Sequence, residues 1–354
     1  ESEIYQIVTE KDFSLVGISG HINRILDELL HLNILAIDTA YMIQQGLRLA
    51  GIEVEYADLQ AVDYEADYAK IYEIIEIVEE VLVENLGVTT YFGLLEIDLT
   101  LENEALVSNE NLHAVLDILS NVVNLELFSA VFTPAYEQMV SPMFEGMDAS
   151  IKAFTDLSDY GTELVIEDLN SIIEILHNVV DFNTLGILLD NDVIDWNNTD
   201  PIVKSIETLF ALNVLEVKLD DILAYVTENV YDISVIEASQ IDLAADGLLI
   251  GEAIDILLET LIVSGRIEFN SMDDLEALTT IDIMSLVEKE VLISVLDAVQ
   301  CIVDTTIVKA ATGFVVERHE DFVPADFLFV FDTGITGEQL HEDICSIITI
   351  AREV

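Results

Sequence analysis

Three observations predict a mainly α fold, laid out as a tandem array of helical repeats (α-solenoid-like, or stacked helical pairs) with a few short extended segments. One skeleton recurs along the chain, four of its copies are evenly spaced, and its apolar positions carry helical periodicity. The skeleton reads apolar, two free positions, apolar, apolar, usually an acid, one free position, apolar, as in Leu112 to Leu119. Copies begin at Ile22, Ile71, Leu112, Leu169, Ile202, Ile250 and Leu292, and an altered one begins at Ile344. By subtraction, the starts at 22, 112, 202 and 292 lie 90 residues apart, and those at 71, 169, 250 and 344 interleave with steps of 98, 81 and 94. The reading is a single elongated array over 1–354.

Positions 0, 3, 4 and 7 of the skeleton, apolar in every copy except for Ser205 in the one at Ile202, fall on one side of a 3.6-residue period. Position 7 holds Leu29, Val78, Leu119, Leu176, Leu209, Leu257, Val299 and Ala351. The acid at position 5 is Asp27, Glu76, Asp117, Glu174, Glu207, Asp255 or Asp297, with Thr349 in the last copy. At about 100° per residue it sits about 150° from the centre of the stripe. Positions 0, 4 and 7 are therefore expected to be buried and the acids exposed. A short helix cannot cover so wide a stripe alone, and stacking on the next copy does so. The gaps leave room for a second helix per unit, at Asp38 to Leu49, Ser129 to Met139 and Lys218 to Val226.

In chain order, residues 1–20 lead in through a turn at Gly17 to Gly20, and Gly46 and Gly51 punctuate the second helix. The alternation Ile52-Glu53-Val54-Glu55-Tyr56 reads as a short strand or an extended link, and residues 57–87 as acidic helix. Thr89 to Phe92 and Glu96 to Leu99 look extended, and Phe327 to Phe331 reads as a strand or short core piece. Ahead of several copies stands an aspartate followed by an aromatic or aliphatic residue: Asp63-Tyr64, Asp159-Tyr160, Asp195-Trp196, Asp242-Leu243 and Asp282-Ile283. Such an aspartate is expected to cap a helix while its neighbour packs into the stack.

Charge excludes whole classes of partner. With 12 basic and 69 acidic residues the net charge is −57, so most carboxylates cannot find a Lys or Arg. Nucleic acid is not an expected partner, because phosphate binding needs clustered cations. Anionic membrane surfaces are disfavoured for the same reason. Hydrophobic residues make up 52% of the chain, which argues for folding rather than acidic disorder. Self-repulsion of this size calls for salt or bound divalent cations. No run approaches a membrane span, so membrane insertion is not expected. Residue 1 is Glu and the sequence stops soon after the eighth copy, so both ends read as cut from a longer polypeptide.

Val62-Asp63-Tyr64-Glu65-Ala66-Asp67, running into Ile71-Tyr72-Glu73-Ile74-Ile75, resembles the repeats of very large, acidic surface or secreted proteins of wall-less bacteria, the acholeplasma-like mollicutes. Ile194 to Asp200, before Ile202, looks like the same unit. The resemblance implies an extracellular or cell-surface location and a structural or adhesive role, and transfers no catalytic residue.

Motifs of chemistry are sparse. The sequence has no phosphate-cradling glycine loop, no cysteine pair at zinc spacing and no nucleophile elbow. His341-Glu342-Asp343-Ile344-Cys345 begins like a zincin helix without its second histidine, and the six histidines read as helix-face residues. Cys301 and Cys345 fit a bridge or two buried thiols equally well. The densest set of oxygen ligands is Asp190, Asp192, Asp195, Asn197 and Asp200. Calcium takes six to eight such oxygens, and caps and turns explain the same residues.

No catalytic residue and no required cofactor are expected, with calcium the one candidate ion. The leading function is a structural or interaction module that self-associates head to tail, into filaments, or adheres. The alternatives are a calcium- or cation-dependent binding module and a hydrolase using paired carboxylates.

Overall fold

The computed structural model describes residues 14–30, 38–94, 97, 108–144, 146–147, 156, 160–182, 199–263, 288–318 and 334–353. The fold is mainly α. Among the described residues no strand forms, and Ser14 and Thr90 make one isolated antiparallel bridge. Ile52 to Glu55 is an irregular link between helices, not a strand. The chain groups into two compact units, 1–146 and 147–354.

The first unit contains α1 (Ile18–Leu30), α2 (Thr39–Leu49), α3 (Tyr56–Ala61), α4 (Tyr64–Glu80), α5 (Asn109–Val123) and α6 (Glu126–Ala135). Asp38 caps α2 by accepting from Tyr41 N–H, and Asp63 caps α4 by accepting from Glu65 and Ala66. These aspartates satisfy amides that have no partner inside the helix. Pro134 removes a donor near the end of α6, and the next turn widens to a π-helix at Tyr136–Val140. α4 packs against α1, α5 and α6. A separate core gathers Ala40, Val54 and Leu59 with Ile43, Leu47, Leu127 and Val131, and Gln44 Nε2 donates to Val54 O at 2.9 Å. The Glu79 carboxylate accepts from the amides of Gly17 and Ser19 at the start of α1. The Ser19 side chain first, and then these amides, hold its acid below the ordinary carboxylate range.

The second unit holds α7 (Thr162–Asp181), α8 (Asp200–Phe210), α9 (Asn213–Val217), α10 (Leu219–Asn229), α11 (Leu243–Leu258), α12 (Lys289–Val303), α13 (Thr306–Glu317) and α14 (Gly337–Glu353). Each signature helix packs on the next in the order α7, α8, α11, α12, α14. Gly247 and Gly251 bring α11 close to α8: a Cβ on Gly247 would lie 2.5 Å from Phe210 Cβ. Gly337 does the same for α14 on α13, where its Cβ would meet Gly313 Cα at 2.5 Å. The pair Arg352 Nη2 to Asp297 Oδ1, at 2.7 Å, joins α14 to α12.

Burial corrects the expected stripe. Position 4 is buried in Leu116, Ile173 and Ile348 as expected, but only half-buried in Leu26, Ile75, Ile206, Ile254 and Leu296. Position 0 is only half-buried in most copies and exposed at Leu292. Position 7 faces outward: Val78, Leu119, Leu176, Leu209 and Val299 are all exposed. Buried residues instead recur five and seven apart, as Asn111, Leu116 and Val123 in α5 and Asp168, Ile173 and Val180 in α7. α5 packs on α4 and α6, and α7 on α8 and α9, so the sides that meet those helices, not the centre of the apolar stripe, hold the core residues. Of the position-5 acids, Asp27, Glu76, Asp117 and Glu174 are exposed, and Glu207, Asp255 and Asp297 are half-buried.

Candidate interaction surface

The same corner is built three times among the described residues. α5 turns into α6 at Asn124-Leu125, α8 into α9 at Ala211-Leu212, and α12 into α13 at Asp304-Thr305. In each, the first corner amide bonds back four residues, as Asn124 N to Ser120 O, Ala211 N to Glu207 O and Asp304 N to Gln300 O. The helix axis bends by 79° across the first corner and by 75° across the third.

A buried aspartate from the preceding signature helix grips the amides just past each corner. Asp67 of α4 accepts from Glu126 N at 2.7 Å and Leu127 N at 2.9 Å. Asp168 of α7 accepts from Asn213 N and Val214 N, both at 2.8 Å. Asp246 of α11 accepts from Thr306 N at 2.6 Å and Ile307 N at 2.9 Å. All three carboxylates are buried, and Asp246 completely so. A helix start offers unpaired N–H groups and a positive dipole end, so a carboxylate there is compensated for its lost hydration. The grip is reciprocated: Glu126 Oε2 accepts from Asp63 N, and Thr306 Oγ1 accepts from Asp242 N. At Asp168 the Tyr160 hydroxyl adds a further hydrogen bond. Burial first, then that bond and the carboxylate charge, push the Tyr160 phenol well above its usual range.

One more helix carries the clamp sequence. Glu167-Asp168-Leu169-Asn170-Ser171-Ile172-Ile173-Glu174-Ile175 in α7 recurs as Glu342-Asp343-Ile344-Cys345-Ser346-Ile347-Ile348-Thr349-Ile350 in α14. Asp168 is buried against α9, whereas Asp343 is exposed and grips no helix among the described residues. The isoleucine seven residues on is half-buried in α7 (Ile175), and the corresponding Ala253 of α11 is fully buried. Its counterpart Ile350 is 61% exposed, and Ile347 is 65% exposed where Ile172 of α7 is 41% exposed. α14 packs on α12 and α13 through another part of its surface, around Ile348. The second unit therefore presents an apolar face with a free clamp aspartate beside it.

The predicted oxygen-ligand loop falls mostly elsewhere. Asp190, Asp192, Asp195 and Asn197 lie outside the described residues, and Asp200 is exposed at the start of α8. Phe327 to Phe331, Asp159, Asp195-Trp196 and Asp282-Ile283 also lie outside them. Asp242, like Asp63, is a helix cap, accepting from Ala245 N at 3.0 Å. Cys301 and Cys345 are free thiols, not a bridge. A cleft of about 500 Å³ opens beside the second corner, lined by Ala211, Glu216, Asp242 and Ala244 among others. No described helix is long and apolar enough to cross a membrane by itself.

Sequence reasoning missed the clamp aspartates because it looked at position 5. Their signal was present, since Asp67 and Asp246 stand four residues after the capping aspartates Asp63 and Asp242. The repeated corners and buried clamps define a mainly α protein of recurrent, cross-braced helical units. Comparison of the chain with known protein families, with curated proteins and with solved structures found no match.

Proposed function

We propose that the chain is a structural or interaction module that associates end to end with a second copy of itself through α14. The observation that carries this reading is the contrast between α7 and α14, in which Asp168 is buried and Ile175 half-buried while their counterparts Asp343 and Ile350 are exposed. The occupant is α1 with α2 of a second copy. α1 packs on the clamp-bearing α4 as α8 packs on α11, and it exposes Ile25 at 56%. A signature helix laid on α14 would continue the order seen from α7 to α14. The resemblance of the repeats to surface proteins supports an extracellular setting, where such contacts extend into filaments or adhesive layers.

The −57 charge opposes any association between copies, so the contact is expected to tighten with salt or divalent cations. Sedimentation over a concentration series at high salt tests it. Reversible oligomers are expected, and Ile347→Glu with Ile350→Glu should return the chain to monomer. A strict monomer at every concentration refutes the reading, as does association that the double substitution leaves unchanged.

A further inference from the structure

We propose that Asp304, His341 and Cys345 form a binding site for a borderline-soft divalent metal, zinc in the first instance. Asp304 is the first residue of the third corner, and His341 and Cys345 stand one turn apart on α14, which packs over that corner. A carboxylate oxygen, an imidazole nitrogen and the thiol sulfur lie within 4.8 Å of one another, all half-buried.

The ligand atoms lie slightly farther apart than around a bound tetrahedral ion. Cys345 Sγ is 3.9 Å from His341 Nδ1 and 3.8 Å from Asp304 Oδ1. Zinc bonds of about 2.3 Å to sulfur and about 2.0 Å to nitrogen or oxygen place such ligand atoms about 3.5 Å apart. A rotation of the Cys345 or His341 side chain brings Sγ and the Nδ1 lone pair onto one ion.

The outer groups are already arranged for it. His341 Nε2 lies 2.8 Å from Val303 O, and a carbonyl only accepts, so Nε2 carries the proton. In the neutral ring that leaves the Nδ1 lone pair free for a metal, with Sγ 3.9 Å from both ring nitrogens. A backbone carbonyl holding the second nitrogen of a ligating histidine is the usual support of a metal site. Gln300 Nε2 reaches both Asp304 Oδ1, at 2.9 Å, and Cys345 Sγ, at 3.4 Å. It would serve the thiolate and the carboxylate once the metal displaces the thiol proton to solvent. The sulfur and imidazole donors favour zinc over calcium or magnesium, which take oxygen. Three protein ligands leave a fourth position for water.

The array itself shows that these residues are not required by the corner. With the clamp aspartates Asp246 and Asp343 aligned, His341 corresponds to Ala244 and Cys345 to Leu248, and Asp304 corresponds to Ala211. In that earlier copy, Ala211 and Ala244 line the open cleft instead. The third corner alone carries three ligating side chains where the second carries none.

Cobalt(II) titration of the full chain is the test, with excess magnesium present to occupy the diffuse carboxylate sites. A thiolate-to-cobalt charge-transfer absorption is expected at one equivalent, and zinc should abolish it by displacement. Cys345→Ser should remove the band and His341→Ala should weaken binding about tenfold or more, while Cys301→Ser leaves both unchanged. Far-UV circular dichroism checks that each variant keeps its helices. Absence of the band in the folded wild-type chain, its survival in Cys345→Ser, or its loss in Cys301→Ser overturns the site.

Discussion

Asp246 offers the sharpest test of how the repeats are braced. Its two oxygens take the amides of Thr306 and Ile307 and the Thr306 hydroxyl, at 2.6, 2.9 and 2.8 Å, in a fully buried position. Asp246→Ala strands all three donors. Each buried donor left unsatisfied costs about 1–3 kcal/mol. Water entering the gap and relief from burying a charge offset part of that sum, leaving a net loss of about 3–5 kcal/mol. Asp246→Asn keeps the shape and one acceptor but turns an NH₂ toward an amide, for about 2 kcal/mol. Two units in one chain need not unfold in a single step. The assay therefore pairs urea melts with hydrogen exchange at Thr306 and Ile307, whose protection should collapse first. Glu174→Ala, on an exposed position-5 acid, is the control and should stay within about 0.5 kcal/mol of the parent. If Asp246→Ala costs no more than that control, with exchange unchanged, the clamp is incidental and the bracing argument fails.

Two further outcomes follow from packing and ionisation. Gly247→Ala should destabilise the second unit by about 1–3 kcal/mol, because the new Cβ meets Phe210 Cβ at 2.5 Å. The same change at exposed Gly46 of α2, where a Cβ meets nothing within 4 Å, should gain up to about 1 kcal/mol from helix propensity; thermal melts that rank the two alike would contradict the close approach of α8 and α11. Tyr160 has a folded-state pKa raised from the ordinary 10.0 by burial and by Asp168, so the unfolded chain loses that proton first as pH rises. Its stabilising contribution is complete below pH 10 and declines above it, toward the folded value. Urea melts across that alkaline range should show a steeper loss in the parent than in Tyr160→Phe, and equal slopes would contradict the assignment.

The sequence by itself determined that this protein is helical and where most helices begin. A 3.6-residue apolar period and aspartates such as Asp38, Asp63 and Asp242 act within a few residues, so they need no knowledge of the fold. It also showed the array, because evenly spaced copies are a property of the string. Which apolar residues are buried was decided by packing. Leu119 and Leu116 look alike in the skeleton, yet Leu116 is buried and Leu119 is 44% exposed, because only part of the apolar stripe of α5 meets its neighbours α4 and α6. The oxygen-rich stretch from Asp190 to Asp200 drew attention through local density. The carboxylates that hold the corners are instead isolated ones, such as Asp67, Asp168 and Asp246, which meet amides 45 to 61 residues further along. Asp304, His341 and Cys345 likewise converge from two helical segments separated by an intervening stretch of chain. Local periodicity fixes what each helix is. Only the contact between helices, set by side-chain volume and by amides left without partners at helix starts, decides which of its residues act together.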